Sequence, residues 1–167
     1  MDVFFIRHAS AEAAGAGGDA ARKLTDKGRD ESRAAAAALA ALGVKLELIL
    51  TSPLPRAAET ARIVAKAHGG AKVEVEDAAG PPGDARTLCR RLDELNAAGV
   101  EAVGVVGHAP SMDAFVARTA AGTADVGTSL NKAGAACVRL PPPRSPEPPE
   151  LRWLMRRKQL AMLAGKR

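Results

Sequence analysis

Four side chains have the types and spacing to hold and transfer an anionic group: Arg7, His8, Arg56 and His108. Arg7 and His8 follow the apolar run Val3-Phe4-Phe5-Ile6, and His108 follows Val105-Val106-Gly107. An isolated Arg-His pair would read as a capping arginine beside a core histidine bonded to a carbonyl. Recurrence changes that reading, because two of the chain's three histidines occupy equivalent places at the end of an apolar strand. His68 sits before Gly69-Gly70 at a helix C-terminus, where the helix dipole favours it, and is expected to be an exposed residue without a catalytic role.

Arg56 belongs to the stretch LTSPLPRAAETA, residues 50–61. A strand ends at Thr51, Ser52 is expected to cap the next helix, and Pro53 suits its first position. Arg56 then projects from the first turn, where unpaired backbone N–H groups favour anions. Taken alone it would pair with Glu59, three residues on. Beside Arg7 and two histidines it reads as part of a convergent cationic pocket. Such a set suits a phosphoryl group: guanidinium forks match phosphate oxygens, and a neutral imidazole held on one nitrogen can attack phosphorus with the other. The remaining cations would stabilise charge on the equatorial oxygens. There is no Walker loop, dinucleotide fingerprint or metal-ligand spacing, so no cofactor and no metal are expected.

The elements that must position these residues alternate along the chain. Strands are expected at 3–6, 48–50, 72–76 and 103–106, and helices at 26–42, 53–68, 84–97 and 110–120. Thr25 is a plausible N-cap for the first helix and Gly43 its end. KVEVE, residues 72–76, alternates in polarity and should lie near a sheet edge. Two last strands, 135–140 and 151–155, flank PPPRSPEPP, which reads as an extended loop within a hairpin. Strand–helix alternation implies an α/β fold with a mostly parallel central sheet, helices on both faces and a C-terminal hairpin. One domain, residues 1–167, is expected. Ligands of such sheets bind outside the carboxyl ends of the strands, the edge that Arg7, His8 and His108 share.

Composition narrows the partners. The net charge is +5, which favours anionic ligands. Aromatic residues are 2% of the chain, too few for single-strand stacking platforms, so nucleic acid is not expected. The basic residues Arg156, Arg157, Lys158, Lys166 and Arg167 read as a solvated end. Cys89 and Cys137 lie far apart without ligand spacing, as in a reduced cytoplasmic protein. MDVFFIRH lacks the basic region and long apolar run of a secretory signal, and no stretch approaches the roughly 20 apolar residues of a membrane span. A cytoplasmic location without membrane contact is the expectation, and the oligomeric state is open.

Arg7-His8-Ala9, then Leu24-Thr25 with Gly28, then Ser52-Pro53 with Arg56-Ala57 and Thr60-Ala61, then VVGH with Pro110, together resemble the histidine phosphatase superfamily, which also contains the phosphoglycerate mutases. RHA in place of RHG, and the short chain, look most like its small SixA-type branch of phosphohistidine phosphatases. The resemblance runs from Val3 to about Trp153. It implies a phosphoglycerate mutase-like fold, with His8 as the phosphorylated nucleophile and Arg7, Arg56 and His108 as the phosphate clamp. Many members carry a glutamate as general acid between the third strand and third helix, where this chain has Ala78. Glu76 and Asp77 lie beside it, so a displaced acid remains open.

The expected activity is a metal-independent phosphatase working through a phosphohistidine enzyme intermediate, with phosphohistidine on a protein as substrate. A chain this short lacks room for the insertions that would enclose small sugar phosphates. The alternatives are a phosphatase for small phosphate esters or anhydrides, and a non-catalytic phosphate-binding module. The imidazole at His8 argues against the module, since binding alone needs only cations.

Overall fold

The structure, a computed structural model, describes residues 1–165. Its six strands are β1 (Asp2–Arg7), β2 (Leu48–Thr51), β3 (Lys72–Val75), β4 (Ala102–Gly107), β5 (Ala135–Arg139) and β6 (Glu150–Met155). The helices are α1 (Asp26–Ala41), α2 (Pro55–Ala67), α3 (Ala85–Ala97), α4 (Ser111–Ala121) and α5 (Arg157–Leu163). All strands form one sheet in the order β3-β2-β4-β1-β5-β6. The first four in that order are parallel, and β5 and β6 run antiparallel as the hairpin. The expected α/β class and mostly parallel sheet are observed, with KVEV at the sheet edge.

Strand periodicity divides the core between the two faces. Val3, Phe5, Val103 and Val105 point to one side, where they meet Leu88, Leu92 and Leu95 of α3 and Met112, Phe115 and Val116 of α4. Phe4, Ile6, Ile49 and Val106 point to the other and meet Ala35 and Leu39 of α1, Ala61 and Val64 of α2 and Leu160 of α5. With few aromatic residues, alanine faces let α1 and α2 pack closely on each other and α2 on the sheet.

Chain crossings leave a ligand crevice between β1 and β4. After β1 the chain crosses one face through α1, and after β4 it crosses the other through α4, so the loops diverge at the carboxyl ends of adjacent parallel strands. The His8 amide donates to the Gly107 carbonyl at 3.0 Å, and the Ser52 amide to the Val106 carbonyl at 3.0 Å, which draws three strand ends together.

Three local expectations change. Helix α2 begins at Pro55 rather than Pro53, and Ser52 is not its N-cap. The Ser52 hydroxyl accepts from the Leu54 amide at 3.2 Å and lies 2.8 Å from the His108 ring, so it belongs to the site. Arg156 and Lys158 are exposed as expected, but residues 156–158 are more than a solvated end: they open α5, whose Leu160 is buried against α1. Lys166 and Arg167 lie outside the described residues. His68 is half-buried, with Nδ1 3.1 Å from the Val44 carbonyl. Among the described residues no helix is long and apolar enough to cross a membrane.

Candidate active site

All four residues singled out in the sequence converge at the β1–β4 edge. His8, Arg56 and His108 are buried, and Arg7 is partly exposed. The two imidazoles lie with ring centroids 4.9 Å apart and planes inclined by 54°. Arg56 Nε donates to His8 Nε2 at 3.3 Å.

His8 is oriented by its own backbone neighbour. Its Nδ1 is 2.7 Å from the Ala9 carbonyl, which can only accept, so Nδ1 carries the proton and Nε2 presents a lone pair toward Arg56. His108 is held through its other nitrogen: Nε2 lies 2.8 Å from Ser52 Oγ, a hydroxyl that also accepts the Leu54 amide. His108 Nδ1 and Arg7 Nε are buried without hydrogen-bond partners among the described residues.

Both rings are held neutral. Burial is the largest influence on His8 and pulls its pKa down to about 3; the Ala9 carbonyl works against this, while His108, Arg56 and Arg7 add to it. Burial also lowers His108 to about 4, reinforced by Arg56. Near neutral pH His8 is therefore uncharged, with Nε2 unprotonated.

The loop after His8 is fastened from several sides. Leu24 is buried and Ala11 bridges to it, closing a hairpin over segment 10–25. Thr25 caps α1 as expected, its hydroxyl accepting the Gly28 amide at 3.0 Å. Gly28 is required by contact: a Cβ there would lie 1.9 Å from the Ser10 carbonyl oxygen. The Ser10 amide donates to Glu31 at 2.9 Å. Arg7 is anchored through Nη1 to the Leu130 carbonyl at 2.8 Å.

Arg56 does not pair with Glu59, which instead takes Arg29 at 2.7 Å. Its partner is Asp19, which sequence reasoning missed. Asp19 opens a short 3-10 helix, Asp19–Ala21, within the glycine-rich loop. Arg56 Nη1 donates to its carbonyl and Nη2 to its carboxylate, each at 2.8 Å. The one signal available was Asp19 three residues before Arg22, a pair that forms at 2.7 Å.

Neither acidic residue beside Ala78 faces this cluster through an evident contact. The Glu76 carboxylate turns back to accept the Ala78 amide at 3.0 Å, and Asp77 is exposed. Cys89 is half-buried with its thiol 3.9 Å from the Thr119 hydroxyl, and burial raises its pKa. Cys137 is buried in the sheet and pushed up to about 12.

The sequence and the fold that carry this Arg-His-Arg-His set have known relatives. The family model of the histidine phosphatase superfamily (branch 1) matches residues 3–79. The phosphohistidine phosphatase SixA of Escherichia coli is 36% identical over 123 residues, covering 73% of this chain and 76% of that one. An uncharacterised protein of Picosynechococcus is 34% identical over 140 residues, covering 83% and 85%. The solved structure of the protein histidine phosphatase SixA complexed with tungstate superposes with a TM-score of 0.86 at 30% identity, covering 96% of this chain and 99% of that one. The chain belongs to the histidine phosphatase superfamily, and phosphatase is the activity class this membership supports.

Proposed function

We propose that the protein is a metal-independent phosphohistidine phosphatase that acts on a protein side chain through a phosphohistidine intermediate on His8. The observation that carries the reading is the tautomer of His8: the Ala9 carbonyl holds Nδ1–H, so Nε2 is an unprotonated nucleophile against a guanidinium. The residues assigned to the clamp are Arg7, Arg56 and His108.

In the first step His8 Nε2 attacks phosphorus in line. A P–N bond forms to His8 as the P–N bond to the substrate ring breaks, and that ring departs neutral because it is protonated before cleavage. In the second step water attacks the phosphoryl group, losing a proton to solvent; the His8–P bond breaks and phosphate departs. Arg7, Arg56 and His108 stabilise the oxygens whose charge shifts during transfer. The positive charge these oxygens need is supplied by the chain's own side chains. The substrate of the relative named above and the tungstate in its solved structure are consistent with such a pocket.

The test is chemical trapping. Turnover of a phosphohistidine peptide, quenched in alkali, should leave an acid-labile, alkali-stable phosphoryl group on the wild type and none on His8→Ala. Arg56→Ala and His108→Ala should each slow transfer by roughly a hundredfold or more. Label on serine, or turnover without label, would overturn the mechanism.

A further inference from the structure

Beside the phosphate site, and sharing Arg7 with it, runs an open groove of about 620 Å³. Its charged lining is Arg7, Lys132, Arg156, Arg157 and Lys158, joined by two neutral amides, and no acidic side chain lines it. Beside Arg7 of β1, the cations come from two further segments that the fold brings together. Lys132 lies in the turn that wraps Arg7: the Ala133 amide donates to the Arg7 carbonyl at 3.1 Å, and Ala133 is held at φ 55, a conformation uncommon outside glycine. The others open α5, where the Gln159 side chain accepts the Arg156 amide at 2.8 Å.

Only one of the cations outside the catalytic set is neutralised. Arg157 pairs with Glu31, a buried carboxylate that also holds the Ser10 amide. Lys132, Arg156 and Lys158 are exposed and make no ion pair among the described residues. Like charges gathered in one concavity repel each other, and folded surfaces usually intersperse the two signs. A single-sign groove leading to a reaction site concentrates oppositely charged ligands there.

We propose that this groove docks an acidic segment of the protein substrate, with Asp and Glu residues flanking the phosphorylated side chain. The inference rests on the phosphohistidine reading and names the partner surface for it. Aspartate and glutamate side chains complement Lys132, Arg156 and Lys158 while the phosphoryl group occupies the Arg7 end. Nucleic acid fits less well, because no aromatic side chain lines the groove for a base to stack on.

The experiment compares two phosphohistidine peptides of equal length, one flanked by Asp and Glu and one by Asn and Gln, with N-phosphoimidazole as a small substrate. The acidic peptide should have a kcat/KM at least tenfold higher at low salt, with the gap closing as salt rises. Lys132→Glu combined with Lys158→Glu should reverse the preference through KM and leave N-phosphoimidazole turnover within about twofold. Anisotropy of the unphosphorylated acidic peptide should show binding to wild type and its loss in the double variant, whether or not the enzyme hydrolyses P–N bonds. Loss of all N-phosphoimidazole turnover in wild type would refute the phosphatase reading and leave the binding arm to decide the groove. Equal efficiency on both peptides, a preference unmoved by charge reversal, or tighter binding of a single-stranded oligonucleotide than of the acidic peptide would overturn the docking proposal.

Discussion

The Asp19 carboxylate lies 2.8 Å from Arg56 Nη2, so the guanidinium assigned to the phosphate clamp already holds an anion supplied by the chain. Asp19 is kept charged, its pKa lowered first by its bond to Arg22 and then by Arg56. A dianionic oxyanion arriving at Arg56 meets like charge. The Asp19 side chain is 59% exposed against 5% for Arg56, so the aspartate can swing away and the arginine cannot. Asp19→Ala should therefore bind tungstate several-fold more tightly than wild type, measured as an inhibition constant at neutral pH. Weaker inhibition would mean that Asp19 aligns the arginine for its ligand instead of competing with it.

The second prediction concerns the C-terminal helix. Arg157 and the Ser10 amide share Glu31, whose side chain is 8% exposed. Arg157→Ala strands that carboxylate, but Arg157 is itself 38% exposed and solvent screens part of the loss. The expected cost is roughly 1–2 kcal/mol, between an exposed pair and a buried one. Urea unfolding of the variant measures it. Ending the chain at Met155 should cost more, since it also uncovers the alanine face of α1 where Leu160 packs. Unchanged stability in both would show that α5 is not part of the cooperative fold.

Strand ends were the legible part of the site. A buried apolar run that stops on a polar residue announces a sheet edge, which is why Arg7, His8 and His108 could be placed before any coordinates, and Arg56 followed from the helix opening beside them. Asp19 could not be found that way, because its loop is glycine- and alanine-rich and has no hydrophobic period. Helix α5 was hidden by its composition: Arg156, Arg157 and Lys158 outweighed the single buried anchor, Leu160. Ser52 misled because a serine before a proline fits a helix cap, whereas its hydroxyl is drawn to His108 from the neighbouring strand end.

Acid stability should report the two neutral imidazoles. Unfolded histidines take up protons below about pH 6.5, whereas native His8 and His108 stay neutral until about 3 and about 4. Between these limits the unfolded state binds more protons, so stability is present above about pH 6.5 and is lost as pH falls toward 4. Urea unfolding at a series of pH values should show that slope, and it should flatten in His8→Asn and His108→Asn. An unchanged slope in both variants would mean that carboxylates alone account for acid unfolding.

The loop after His8 has no room at Gly28. A methyl group there would sit 1.9 Å from the Ser10 carbonyl oxygen, a backbone atom that cannot rotate aside. Gly28→Ala should push segment 9–11 away from α1, lower stability by roughly 1–3 kcal/mol and reduce phosphatase activity at least tenfold in protein that remains folded. Near-normal activity would show that the loop tolerates displacement without disturbing His8.

Leaving-group preference follows from what stands at the third strand's exit. Ala78 is buried there, Glu76 is turned back onto the Ala78 amide, and Asp77 is exposed. Asp19, the acidic residue that does reach the site, is held charged by two arginines and is a poor proton donor. Alkyl phosphates release a strongly basic alkoxide and depend on a positioned acid worth roughly 10²–10⁴-fold. A phosphohistidine ring can be protonated before cleavage and leaves neutral, so it tolerates the lack of one. The kcat/KM for a phosphohistidine peptide should exceed that for a matched phosphoserine peptide by at least two orders of magnitude, roughly the share an absent acid would have supplied. Glu76→Gln and Asp77→Asn should leave the ratio unchanged. If one of them abolished phosphoserine hydrolysis in an enzyme that cleaves both peptides equally well, that residue would be a displaced general acid and the preference for P–N bonds would fall.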